Sequence, residues 1–189
     1  YAVNTAEKMG NDKKLGYVPG RVSETLEYAY SDWCLSVLAE DLGCNEAAAE
    51  YFERSRSYSK VFDEEQGWFR PRNADGTWKE WPEEGRLKES YGCVESNLYQ
   101  QGWFVPHDIS GMADLMGGRT KTLADLTNFF EKCPSDFLWN AYYNHANEPV
   151  HHVPFLFNRL GAPWLTQYWT RAICNGAYKN KVEGLVGNE

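Results

Sequence analysis

The residues best equipped for chemistry lie in two short stretches. One runs from Glu95 to Asp108 and reads E-S-N-L-Y-Q-Q-G-W-F-V-P-H-D. The other runs from Tyr142 to Phe157 and reads Y-Y-N-H-A-N-E-P-V-H-H-V-P-F-L-F. They hold every histidine of the chain: His107 in the first, and His145, His151 and His152 in the second. Carboxylates, imidazoles, amides and aromatic rings at this density suit a polyhydroxylated ligand. Such a ligand lays apolar C–H faces on rings and needs fixed donors and acceptors for its hydroxyls.

Glu95 is the candidate acid. A carboxyl among aromatic neighbours has its charged form disfavoured and its pKa raised, which suits proton donation. The competing reading is a helix-terminal Glu that answers the dipole. Asn97 stands beside it. Trp103 offers an aromatic platform, and the pair His107-Asp108 either orients an imidazole or closes a turn. In Asn147-Glu148-Pro149-x-His151-His152, Pro149 opens a helix where its missing N–H is harmless. A helix N-terminus there presents N–H groups to a ligand oxygen. The spacing His145-x-x-Glu148-x-x-His151-His152 also permits zinc, although it is not H-E-x-x-H and Pro149 interrupts the helical register. Sugar hydroxyl recognition fits better, as does a hard cation such as calcium on Asn147 and Glu148 oxygens. The bland reading is a capped helix with core histidines. Arg70-Pro71-Arg72 with Asp75-Gly76-x-Trp78 reads as a rim loop with a stacking Trp, or as a hairpin with that Trp packed beneath it.

The elements that position these residues are helical. The chain has 189 residues, 42% hydrophobic and 24% charged, enough for one sizeable domain. From Ser23 to Gly43, Leu26, Ala29, Tyr30, Trp33, Val37 and Leu38 recur at helical spacing. Asn45 caps a second helix that runs through Phe62, and the short turn between them makes an antiparallel pair. Phe62 to Trp81 reads as an excursion with one short β-hairpin, because Gly67 and Asp75-Gly76 are turn signals. Further helices are expected over Cys93–Phe104, Ser110–Met116, Thr122–Lys132, from Glu148 to near Gly161, and from Pro163 through Tyr178. Ser135 to Ala146 is irregular. The fold class is all-α, with helix pairs arranged as in part of a helical toroid.

The net charge of −8 argues against nucleic acid as partner. No apolar run is long enough to span a membrane, and no export signal opens the chain. Five cysteines without a C-x-x-C give zinc-ribbon and thioredoxin-type chemistry no support. Cys34 and Cys174 fall in apolar helical patterns and are expected to be buried thiols. There is no phosphate loop, no G-x-G-x-x-G and no nucleophile elbow. Both ends of the chain read as cut from something longer.

Taken together the motifs resemble glycoside hydrolase family 92, the calcium-dependent exo-acting α-mannosidases. They are Gly16-Tyr17-Val18-Pro19, Val22-Ser23-Glu24-Thr25-Leu26-Glu27-Tyr28-Ala29-Tyr30-Ser31-Asp32-Trp33-Cys34, and Phe69-Arg70-Pro71-Arg72 with Asp75-Gly76-x-Trp78. Glu95-x-Asn97, Trp103-Phe104-Val105-Pro106-His107-Asp108, Leu115-Met116-Gly117-Gly118 and Asn147-Glu148-Pro149-x-His151-His152-x-Pro154 follow. Gly161-x-Pro163-Trp164-x-Thr166-Gln167 and Gly184-Leu185-x-Gly187-Asn188-Glu189 complete the run. The resemblance implies residues 1–189 of an (α/α)₆ catalytic domain, with the N-terminal β-sandwich domain and the end of the toroid outside this chain. It implies inverting hydrolysis of terminal α-mannosides, most often α-1,2-linked, on N-glycans or mannan, outside the cytoplasm in the full-length parent. Glu95 matches the acid. Asn97, Trp103, His107, Asp108, Asn147, Glu148, His151 and His152 become candidates for sugar contact, and Asn147 and Glu148 for Ca2+. The base falls one residue beyond Glu189. The family's E-G-N and N-E-P-S-H-H stand here as Glu95-Ser96-Asn97 and N-E-P-V-H-H, which places the departures in the site itself.

Overall fold

A computed structural model of the chain describes residues 9–10 and 12–187. The opening residues 1–8, and Asn188 and Glu189 of the segment expected to lead to the base, lie outside the described residues. The chain forms two units, Tyr1–Leu98 and Tyr99–Glu189. The described structure is mostly helical, with one two-stranded antiparallel sheet.

The first unit is built on a helix pair. Helix α1, Val22–Asp41, is followed after a tight turn at Gly43 by α2, Asn45–Arg54, and the two pack together. Asn45 is the first helical residue and not the cap; Cys44 holds that position without a side-chain bond. A 3₁₀ segment, Ser55–Val61, replaces the expected continuation to Phe62. The buried side of α1 begins with Val22, Leu26 and Ala29 and continues with Asp32, Ser36 and Ala39. Leu35, Leu38 and Leu42 are exposed on the other side. Cys34 and Cys174 are therefore exposed, against expectation, because apolar spacing along these helices does not coincide with burial. Cys93 is the buried thiol, and burial followed by the Glu24 charge pushes it up. The hairpin is present: β1, Phe62–Asp63, pairs with β2, Trp68–Phe69, in the register Phe62↔Phe69. An isolated bridge, Arg72↔Trp78, closes a second turn at Gly76.

The second unit opens with Tyr99, within the single helical turn α3, Leu98–Gln101. Helices α4, Ile109–Leu115, and α5, Arg119–Glu131, form one packed pair; α6, Leu156–Arg159, and α7, Pro163–Ala177, form another. Phe129, Phe130, Tyr143, Val153 and Phe157 fill the core between them. The expected helix from Glu148 to Gly161 is broken into 3₁₀ turns Glu148–Val150 and Val153–Phe155 before α6. Pro149 and Pro154 each withhold an N–H, so a continuous ladder is not available. No helix among the described residues is long and apolar enough to cross a membrane.

Candidate active site

The loop that carries Glu95 is not helical. Helix begins only at Leu98, and Glu95 has φ 52, a left-handed conformation rare for a residue with a Cβ. The expected Cys93–Phe104 helix and the helix-terminal reading of Glu95 are both corrected by this. Glu95 is exposed, next to an exposed Val94, so the expected aromatic enclosure is absent within its own loop. Ser96 and Asn97 behind it are buried. The loop is held at both ends within the first unit. The Gly92 carbonyl accepts the N–H groups of Val22 at 2.7 Å and Ser23 at 3.2 Å. These are orphan donors of α1, whose N-terminus has no side-chain cap. At the other end Trp68 Nε1–H donates to the Leu98 carbonyl at 2.8 Å.

In the second unit the amide-rich loop is fixed by its own polar groups. The buried Gln100 side chain donates to the carbonyls of Asn140 and Tyr142, each at 2.7 Å. The Asn144 carboxamide oxygen accepts from Trp139 N–H at 2.9 Å and Ala146 N–H at 3.3 Å. Phe137 and Trp139 both sit at positive φ, 56° and 48°. Asn147 is 8% exposed, while Glu148 beside it is open to solvent.

The imidazoles are part of that scaffold. His145 meets Tyr143 Oη through Nδ1 and Tyr178 Oη through Nε2, both at 2.7 Å. A neutral ring donates through one nitrogen and accepts through the other, so the phenols take opposite roles. Burial, then the neighbouring His151, pushes His145 down to about 4. His151 donates Nε2–H to the His145 carbonyl at 3.0 Å. His152 donates Nε2–H to the Trp103 carbonyl at 2.9 Å, and burial lowers its pKa. The zinc arrangement is not assembled: among the described residues no group of three or more His, Cys, Asp or Glu is placed to hold a metal ion. The helix N-terminus expected at Glu148 is a three-residue 3₁₀ turn, with Val150 N–H and His151 N–H already donating to Asn147 and Glu148 carbonyls.

Of the remaining candidates, Trp103 is fully buried against Tyr99 and Phe129, so its ring is not open to a ligand; it serves through its carbonyl. His107 is half-buried. Asp108 closes a turn, its Oδ1 accepting Gly111 N–H at 2.9 Å as the cap of α4. Sequence reasoning missed the clamp by Gln100 and the bond from Tyr178 to His145. An amide and a phenol whose partners lie far away in the chain carry no local signal, and only their residue types gave a hint. It also missed a part-buried ion cluster in the first unit, where Arg54 spans Asp32 at 2.9 Å and Asp12 at 3.5 Å.

Residues 2–189 match the glycosyl hydrolase family 92 catalytic domain. An uncharacterized secreted glycosidase of Arthroderma benhamiae is 27% identical over 212 residues, covering 94% of this chain and 26% of that protein. Among solved structures, a family GH92 α-mannosidase from Bacteroides thetaiotaomicron is 33% identical with a TM-score of 0.82, over 92% of this chain and 23% of that one. The same enzyme bound to mannoimidazole superposes with a TM-score of 0.80 at 32% identity, over 92% of this chain and 25% of that one. A family GH92 inverting mannosidase from Bacteroides thetaiotaomicron is 28% identical with a TM-score of 0.84, over 94% and 27% of the two chains. The chain thus spans about a quarter of the length of the relatives it matches.

Proposed function

The chain belongs to glycosyl hydrolase family 92, and from that premise we propose that it supplies part of the catalytic domain of an exo-acting α-mannosidase. Its substrates are terminal α-linked mannosides, α-1,2-linked for preference, on N-glycan or mannan oligosaccharides. The observation that carries this reading is the family match along residues 2–189, within which Glu95 stands on an exposed, left-handed backbone position. Strained backbone positions cluster at active sites.

In this reading Glu95 protonates the leaving glycosidic oxygen. A second carboxylate, outside the described residues, activates water on the opposite face of the ring, about 6.5–9.5 Å away for an inverting displacement. His107, Asp108, Asn147, Glu148, His151 and His152 are the candidate sugar contacts, Asn147 and Glu148 foremost; Asn97, fully buried behind Glu95, offers the ligand no surface. The scaffold of the second unit holds Asn147 and Glu148 still: an orienting network that is already formed need not be ordered at the moment of reaction.

Calcium, when bound, would polarise and orient sugar hydroxyls. Asn147 and Glu148 offer hard oxygens of the right kind, but calcium takes roughly six to eight of them. No further cluster of acidic side chains accompanies this pair among the described residues. The remaining ligands would come from sugar, water and other parts of the protein. The fold reading extends likewise to part of an (α/α)₆ toroid with a β-sandwich domain preceding it. The secreted relative supports an extracellular or periplasmic site of action.

The test is hydrolysis of α-1,2-mannobiose by the full-length protein, with and without EGTA. Release of mannose that EGTA abolishes supports the whole reading. Release indifferent to EGTA removes calcium from it. No release, with mannose still bound, replaces the enzyme with a glycan-binding relative.

A further inference from the structure

Beside the second hairpin turn of the first unit lies an open groove of about 520 Å³. Its walls include Trp78, Trp81 and Tyr91, three half-buried rings, together with Asn73, Glu80 and Glu83. None of these residues belongs to the candidate active site; Trp78, expected either as a rim-loop ring or packed beneath the hairpin, is half-buried and faces this groove instead.

The rings are held rigidly. The Arg72 guanidinium lies over Trp78 at 4.3 Å from the ring centroid and donates to the Lys60 carbonyl. Arg70 lies over Trp81 at 5.8 Å, pairs with Asp63 at 2.8 Å and donates Nε–H to the Lys79 carbonyl at 2.7 Å. Tyr91 donates its hydroxyl to the Glu80 carbonyl. The turn itself is tied by Asn73 to Thr77 and by Asp75 to Thr77. Indoles fixed before a ligand arrives lose little freedom on binding it.

The charges around the groove select the ligand. Each indole already carries a guanidinium on one face, so its quadrupole has little attraction left for a second cation. That disfavours an ammonium ligand. Glu80 and Glu83, both exposed, disfavour an anion. The cation of the groove, Lys79, has its ammonium over Gly20, where a Cβ would meet it at 3.0 Å. A neutral ligand with apolar C–H faces and hydroxyls satisfies both the rings and the carboxylate and amide rim. We propose that this groove is a second saccharide-binding site, which holds a neutral glycan chain apart from the residues that cleave it. The proposal rests on the mannosidase reading only for the choice of probe.

The experiment uses the full-length protein and measures retardation in gels containing α-mannan, with mannobiose hydrolysis assayed on the same samples. Trp78→Ala is expected to weaken retention by roughly tenfold while kcat/KM on mannobiose stays unchanged. Trp78→Phe keeps a ring under Arg72 and is expected to lie between the two; it carries the test if Trp78→Ala does not fold. Retention equal to wild type in a folded variant overturns the proposal, as does a wild-type protein that α-mannan does not retard. Saturable binding of choline that Trp78→Ala abolishes would also overturn it, by making the ligand a cation. Retention without any mannobiose hydrolysis leaves the groove assignment standing and sinks the mannosidase reading instead.

Discussion

The Gly92 carbonyl oxygen lies 2.7 Å from the backbone nitrogen of Val22 and so caps α1 with a loop from a distant part of the sequence. Gly92 can do this only without a side chain. It has φ +72, and a Cβ would stand 2.4 Å from Pro71 Cγ. Gly92→Ala is therefore expected to destabilise the protein by about 1–3 kcal/mol and to displace Glu95, three residues on. Gly76→Ala, at φ +87 with nothing within 4 Å, is the control for backbone strain alone. Thermal melts of both, with turnover, check this. Equal losses in the two would mean that the Pro71 contact contributes nothing.

Glu95→Gln keeps the size and the left-handed backbone but removes the proton. Turnover on mannobiose is expected to fall by about 10²–10⁴-fold, with substrate affinity little changed. A variant that turns over at the wild-type rate would take the acid role away from Glu95.

What could be read in the sequence was the part set by local pattern. The pair α1 and α2, the hairpin at Gly67 and the helix from Pro163 each follow from short-range spacing and turn residues. The Glu95 loop was missed because the buried Cys93, Asn97 and Gln100 fall at helical spacing, although the backbone is irregular until Leu98. What decides the matter is a glycine at positive φ against Pro71 and a carbonyl spent on α1, and neither is a local property. The histidines were legible as a cluster but not in role. His145 between two phenols is distinguishable from a ligand only when Tyr178 is placed. Cys34 and Cys174 were misjudged because an apolar stripe shows which residues could be buried, not which are.

Two buried groups titrate in opposite senses over nearly the same range. Asp12, 5% exposed, is pushed up to about 6, first by burial and then by the Asp32 charge, against the pull of Arg54 and Lys60. Its folded value lies above the unfolded one of about 3.9. The stability it contributes is complete below about pH 4 and is lost as pH rises through about 6. His145 runs the other way. Depressed to about 4 from an unfolded value of about 6.5, it contributes stability that is complete above about pH 6.5 and is lost as pH falls through about 4. Each effect is up to about 3 kcal/mol. The expected pH profile is thus flatter than either group alone would give. Asp12→Asn should expose an acid-side loss, and His145→Gln an alkaline-side loss, in chemical denaturation between pH 4 and 7. Variants whose profiles keep the wild-type slope would remove these groups from the account.

Gln100 is the remaining test of how the second unit holds Asn147 and Glu148. Its side-chain amide is the donor to two carbonyls, those of Asn140 and Tyr142, and it is 4% exposed. Gln100→Leu fills similar volume but leaves both part-buried acceptors without that donor. An acceptor stranded fully away from water costs about 1–3 kcal/mol, and a part-buried one less. The loss need not appear as global unfolding, because the loop can open locally and hydrate its carbonyls. The expected signature is faster amide exchange confined to residues 138–147, with the α7 amides unchanged. Mannobiose turnover should fall alongside it, since Asn147 N–H donates to the Asn144 carbonyl within the same loop. Faster exchange without loss of turnover would separate loop order from sugar binding and remove Asn147 and Glu148 from the site. Unchanged exchange would show that Asn144 and Asn140 hold the loop without Gln100.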